Sequence, residues 1–101
     1  MLETRLQQAR QAFRDKLGAK LDELQELLRQ GQEQAPALEQ AQRLAHKLCG
    51  SAGTFGLPEI HAALQLTDRA LLEVIEGRVE PTPELFVRVE TAIDNARRQA
   101  G

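Results

Sequence analysis

Apolar residues recur every three or four positions along almost the whole chain, and Gly and Pro cut this pattern into four stretches. The first runs from about Leu2 to Gln30, with Leu6, Phe13, Leu17, Leu21, Leu24 and Leu28 on one stripe. Gly18 interrupts it, so the stretch reads either as one bent helix or as a short first helix followed by a longer one. The second runs from Pro36 to about Thr54 on Leu38, Ala41, Ala45, Leu48 and Ala52. The third runs from Pro58 to Glu76 on Ile60, Leu64, Thr67, Leu71 and Val74, and the last from Pro83 to about Gln99 on Leu85, Val89, Ala92 and Ala96. Each repeat has the period of an amphipathic helix. Thr82 followed by Pro83 is an N-cap and first helical residue. The later connections are short, which makes neighbouring helices antiparallel. The expected fold is all-α: an antiparallel up-and-down four-helix bundle, with a short extra N-terminal helix if Gly18 divides the first stretch.

Composition supports this reading. Leu, Ala, Gln, Glu and Arg dominate the 101 residues, and Trp and Tyr are absent. That length suits one modest core, so residues 1–101 are read as one domain. A net charge of −2 provides no concentrated positive surface, which argues against a nucleic-acid partner. Arg97-Arg98 is more simply a favourable charge at a helix C-terminus. The lone Cys49 excludes an internal disulfide and fits a reducing compartment. The N-terminus lacks the apolar run of a signal peptide, and no run of apolar residues is long enough for a bilayer. The expectation is a soluble, cytoplasmic domain with no membrane partner, monomeric because closing the bundle needs no second chain. Whether it stands alone or belongs to a larger protein is open.

Chemistry enters at His46. On a wheel of the second helix, Leu38, Ala41, Ala45 and Leu48 set the buried direction, and His46 falls on an exposed flank. Gln42 and Arg43 lie one turn before it; Gly50 and Gly53 follow on the same flank. A glycine inside a helix loses about 1 kcal/mol relative to alanine. Gly53 and Gly56 can be terminators, but Gly50 comes too early if Leu48, Ala52 and Phe55 continue the stripe. Gly50 therefore points to a surface kept low so that another protein can bring a reactive group up to the imidazole.

The run Ala45-His46-Lys47-Leu48-Cys49-Gly50-Ser51-Ala52-Gly53-Thr54-Phe55-Gly56 resembles the signature of histidine phosphotransfer domains, and is similar to the phosphotransfer domain of chemotaxis kinases. That pattern has a His, a Lys three later, a Gly four later and a further Gly near ten later. His46, Gly50 and Gly56 match, but Cys49 stands where the family has Lys. The resemblance implies a phosphocarrier rather than an enzyme, a phosphorelay intermediate that takes and gives a phosphoryl group on His46. Its implied partners are response-regulator receiver domains and a hybrid sensor kinase, with Mg²⁺ in the receiver and no cofactor in this chain. With Cys49 in place of Lys, the positive charge that neutralises the incoming phosphoryl group is expected from Arg43 first and Lys47 second.

A nucleophilic imidazole needs one nitrogen open and the other holding a fixed proton. The family places a Glu or Gln about 22 residues after the His for this purpose; here that position is Asp68, with Gln65 one turn earlier. Asp is one methylene shorter than Glu, so either a bridging water or Gln65 completes the contact. His61, Gln65 and Asp68 share one stripe of the third helix, and His61 reads as a solvated flank residue. The docking surface is expected to contain Gln42, Cys49, Gly50, Gly53 and Leu72.

Three other readings compete with this one. A zinc site of His46, Cys49, His61 and Asp68 lacks any CxxC or HExxH spacing. A dimeric sensor-kinase phosphoacceptor helix carries an acidic residue directly after the His and a Pro a few residues on, where this chain has Lys47 and Ser51. The third is a helical-bundle interaction module that binds receiver or kinase domains without carrying phosphate.

Overall fold

The computed structural model describes residues 2–101. It contains four helices and, among these residues, no strand: α1 (Leu2–Gly31), α2 (Ala35–Thr54), α3 (Pro58–Ile75) and α4 (Pro83–Ala100). They pack in a closed ring, α1 on α2, α2 on α3, α3 on α4 and α4 back on α1, as a four-helix bundle requires.

The core follows the stripes read from the sequence, with Ile93 of α4 joining it and Val74 only partly buried. Leu17, Leu21, Leu24 and Leu28 of α1 meet Leu38, Ala41, Ala45, Leu48 and Ala52 of α2, Ile60, Leu64 and Leu71 of α3, and Leu85, Val89, Ile93 and Ala96 of α4. Thr67 is the polar member of the α3 stripe. It is fully buried, and its hydroxyl donates to the Ala63 carbonyl at 3.0 Å, so burial leaves no unpaired group. Arg97 ties α4 to α1 through Asp22 at 2.9 Å and Gln25 at 2.6 Å, a more specific role than a charge at a helix end.

α1 differs from expectation in two respects. It is one unbroken helix, so no extra N-terminal helix forms at Gly18. A glycine costs a helix interior only about 1 kcal/mol, and burial of the four flanking and following leucines outweighs that. Leu6 is exposed rather than part of the core, because α1 is longer than its neighbours and its first turns extend past the bundle. The lower part of this extension is anchored: Arg10 Nε donates to the Phe55 carbonyl at 2.6 Å, and the Phe13 and Phe55 rings lie 5.6 Å apart.

The tight α2–α3 corner fixes how these two helices face each other. Gly56 has φ +67°, a left-handed conformation that side chains disfavour. It lets the Leu57 N–H reach the Ala52 carbonyl at 3.0 Å and the Gly56 N–H reach Gly53 at 3.2 Å, closing α2 with a Schellman motif. Leu57 then buries its side chain and Pro58 starts α3. Gly77, at φ +76°, ends α3 in the same way. Thr82 caps α4, accepting the Leu85 N–H at 3.2 Å.

Candidate functional site

The α2–α3 seam carries both histidines of the chain. His46 projects outward from α2 with three quarters of its side chain exposed (75%). Its Nδ1 lies 2.9 Å from Oδ2 of Asp68, across the seam on α3. The contact is direct, so the shorter Asp needs no bridging water. Asp68 is much less exposed, at 13%, and its second oxygen is also occupied: Gln42 Nε2 donates to Oδ1 at 2.7 Å. Gln42 and His46 are one turn apart on α2, and the Asp68 carboxylate sits between them. Gln65 is half-buried and makes no hydrogen bond with His46 among the described residues; Asp68 alone reaches the ring. In a neutral ring the Nδ1 proton points at the carboxylate, which leaves the Nε2 lone pair unblocked.

One turn further along the seam the arrangement reverses. His61, expected on a solvated flank, is half-buried and points from α3 into α2. Its Nδ1 lies 2.9 Å from the Cys49 carbonyl oxygen and 3.4 Å from the Cys49 sulfur. A carbonyl only accepts, so Nδ1 carries the proton and donates it. The ring occupies the space left by Gly53: a Cβ there would lie 3.1 Å from Nδ1 and 3.3 Å from Cε1. Gly53 thus admits His61, so packing within the chain already accounts for a glycine there, although Gly53 itself is exposed. The expectation for Cys49 is corrected. It is 7% exposed and faces His61, so it cannot lie on a docking surface. Burial, with the Asp68 charge adding to it and Arg69 opposing, pushes its thiol above the ordinary value.

Gly50 behaves differently from Gly53. A Cβ there would meet nothing within 4 Å, so no internal packing demands a glycine. Gly18 is equally open, but on α1 and not on the helix that carries His46. Gly50 lies one turn from His46 on the same exposed flank. Arg43 and Lys47 flank His46 in α2. Both are exposed, and among the described residues neither enters an ion pair or a side-chain hydrogen bond. Leu72, one turn beyond Asp68, is 38% exposed. No group of three His, Cys, Asp or Glu side chains is placed to hold a metal ion among the described residues.

The bundle thus presents a solvent-facing imidazole that contacts a carboxylate on the next helix. The family model described as the Hpt domain matches residues 8–99, and the chain belongs to that family. Members of the family are phosphocarriers in two-component phosphorelays and work with receiver domains and kinases. Comparison with curated proteins and with solved structures gave no match. Among the described residues, no helix is long and apolar enough to cross a membrane.

Proposed function

We propose that this chain is a phosphorelay intermediate that accepts a phosphoryl group on Nε2 of His46 from an aspartyl phosphate of a receiver domain and returns it to another. The observation that carries the reading is the exposed His46 ring with its Nδ1 2.9 Å from the Asp68 carboxylate.

The chemistry follows from that contact. The Nε2 lone pair attacks phosphorus in line with the bond to the partner aspartate. A P–N bond forms, the P–O bond breaks and the aspartate leaves as carboxylate. The imidazole keeps its Nδ1 proton and so becomes a phosphoimidazolium with positive charge on the ring. Asp68 faces that charge and stabilises it, while a fixed ring orientation lowers the entropic barrier to attack. Such transfer is mostly positioning and charge neutralisation. The receiver supplies the acceptor or donor aspartate and Mg²⁺; this chain supplies the nucleophile and its orienting carboxylate. Arg43 is the first cation to meet the phosphoryl oxygens and Lys47 the second, both lying on the exposed flank without a side-chain partner among the described residues; replacing Arg43 with Ala is expected to slow transfer several-fold more than replacing Lys47. Gly50 lowers the ground beside His46, and Leu72 adds an apolar contact at the rim. The domain acts as a monomer in the cytoplasm, downstream of a hybrid sensor kinase.

The test is to mix the protein with a receiver domain carrying labelled aspartyl phosphate. The expected result is label on the chain that is acid-labile and alkali-stable and absent from His46→Gln. Stable binding to the receiver without any label would contradict the reading and leave an interaction module in its place.

A further inference from the structure

We infer that Gln42 is a positioning residue for His46, acting through Asp68, rather than part of the surface a partner touches. This rests on His46 being the phosphoryl acceptor.

Three observations converge. The Gln42 side-chain amide donates to Asp68 Oδ1 at 2.7 Å, while Asp68 Oδ2 holds His46 Nδ1 at 2.9 Å. Both partners of the carboxylate stand on α2, one turn apart, and the carboxylate reaches them from α3. Asp68 is 13% exposed, so its oxygens receive little help from water and need protein donors.

Without the amide, the one hydrogen-bonded side chain left to this carboxylate among the described residues would be a ring that is itself mostly in solvent. The short Asp side chain could then swing about its Cβ and present either oxygen, or neither, to Nδ1. With Oδ1 fixed by Gln42, Oδ2 has one place to be. The chemical nature of the clamp matters too. A neutral amide fixes the carboxylate without cancelling its charge, so the full negative charge remains opposite the imidazole when the ring becomes cationic on phosphorylation. A lysine or arginine in the same place would hold the geometry but compensate the charge. Hydrogen-bonded chains of this kind strengthen one another in a poorly solvated setting.

The readout that separates positioning from simple packing is the protonation pattern of the ring. In the intact protein, ¹⁵N spectra of the neutral His46 ring are expected to show Nδ1 protonated and Nε2 bare. Gln42→Met keeps the length and the apolar stem but removes the donor. It should move the ring toward the Nε2–H form and slow transfer from a receiver about two- to tenfold, the range set by one net hydrogen bond. Gln42→Glu sets a carboxylate against Asp68 Oδ1 and should shift both further than Met. An unchanged tautomer balance in both variants would overturn the inference, even if transfer slowed, because Gln42 would then act on the partner. Failure of the unaltered protein to accept phosphoryl on His46 would instead remove the carrier reading, while the ring spectra still decide what Gln42 does to His46.

Discussion

The two histidines make a natural comparison, because both reach across the α2–α3 seam and both use Nδ1 to do it. His46 meets a carboxylate and keeps most of its ring in solvent. His61 meets a backbone carbonyl and fills the space above a glycine. The first contact leaves a carboxylate facing an accessible ring, as the proposed phosphoryl transfer on that ring would require. The second joins two helices and leaves the ring in the packing. Each histidine also has a glycine near it in α2, and these divide the same way. Gly53 has its missing side chain replaced by His61, whereas nothing among the described residues comes within 4 Å of the place a Gly50 side chain would take. A histidine near glycines is therefore not in itself a sign of chemistry; the distinction is whether the opened space is filled from within.

The widest separation between the two is expected from replacing each with glutamine. His46→Gln should abolish phosphoryl uptake with little change in thermal stability, because the side chain is exposed. His61→Gln should keep uptake and lose about 1 kcal/mol from the broken bond to Cys49 and poorer packing, seen in urea unfolding. Retained label on His46→Gln would erase the distinction.

The next effect belongs to the carboxylate. Asp68→Ala should slow transfer about 10- to 100-fold, the range for losing a hydrogen bond to a charged group. Rapid-quench kinetics with a labelled receiver would show this, and a rate within a factor of two of the intact protein would mean that His46 orients itself.

The smallest effect, and the sharpest for the glycines, is on stability. Gly50→Ala should stabilise the fold by about 0.5–1 kcal/mol, because helix propensity improves and nothing obstructs the new Cβ. It should also weaken receiver binding. Gly53→Ala gains the same propensity but displaces the His61 ring, so it should be less stable than Gly50→Ala by about 1 kcal/mol. Equal stability of the two variants would show that His61 yields without cost.

The bundle was legible because the apolar stripes of all four helices are long, and burial of most of each stripe is what holds it. Thr82, Gly56 and Gly77 mark the helix ends through local chemistry, which is also legible. The overhang of α1 was not, since Leu6 continues the stripe and only the length of the neighbouring helices shows that nothing covers it. Within the site, His46 could be paired with Asp68 only because the family resemblance places an acceptor at that position, and the resemblance left Gln65 beside it. Gln42, Cys49, Gly53 and His61 could not be sorted the same way. Which flank of α2 faces solvent and which faces α3 depends on how the two helices are rotated about their axes, and a wheel of one helix does not contain that rotation. A half-turn of uncertainty was enough to place Cys49 outside and His61 in water, when each is the other's neighbour.

The proposed role of Asp68, which holds Nδ1 of His46 and leaves Nε2 to attack phosphorus, fixes where the phosphoryl group must sit. The position of the phosphoryl group on the ring tests it most directly. Heteronuclear NMR of the ¹⁵N-labelled protein, phosphorylated by transfer from a receiver, is expected to show a P–N bond at Nε2 of His46 with Nδ1 still protonated. A phosphoryl group on Nδ1, or on His61, would contradict the account.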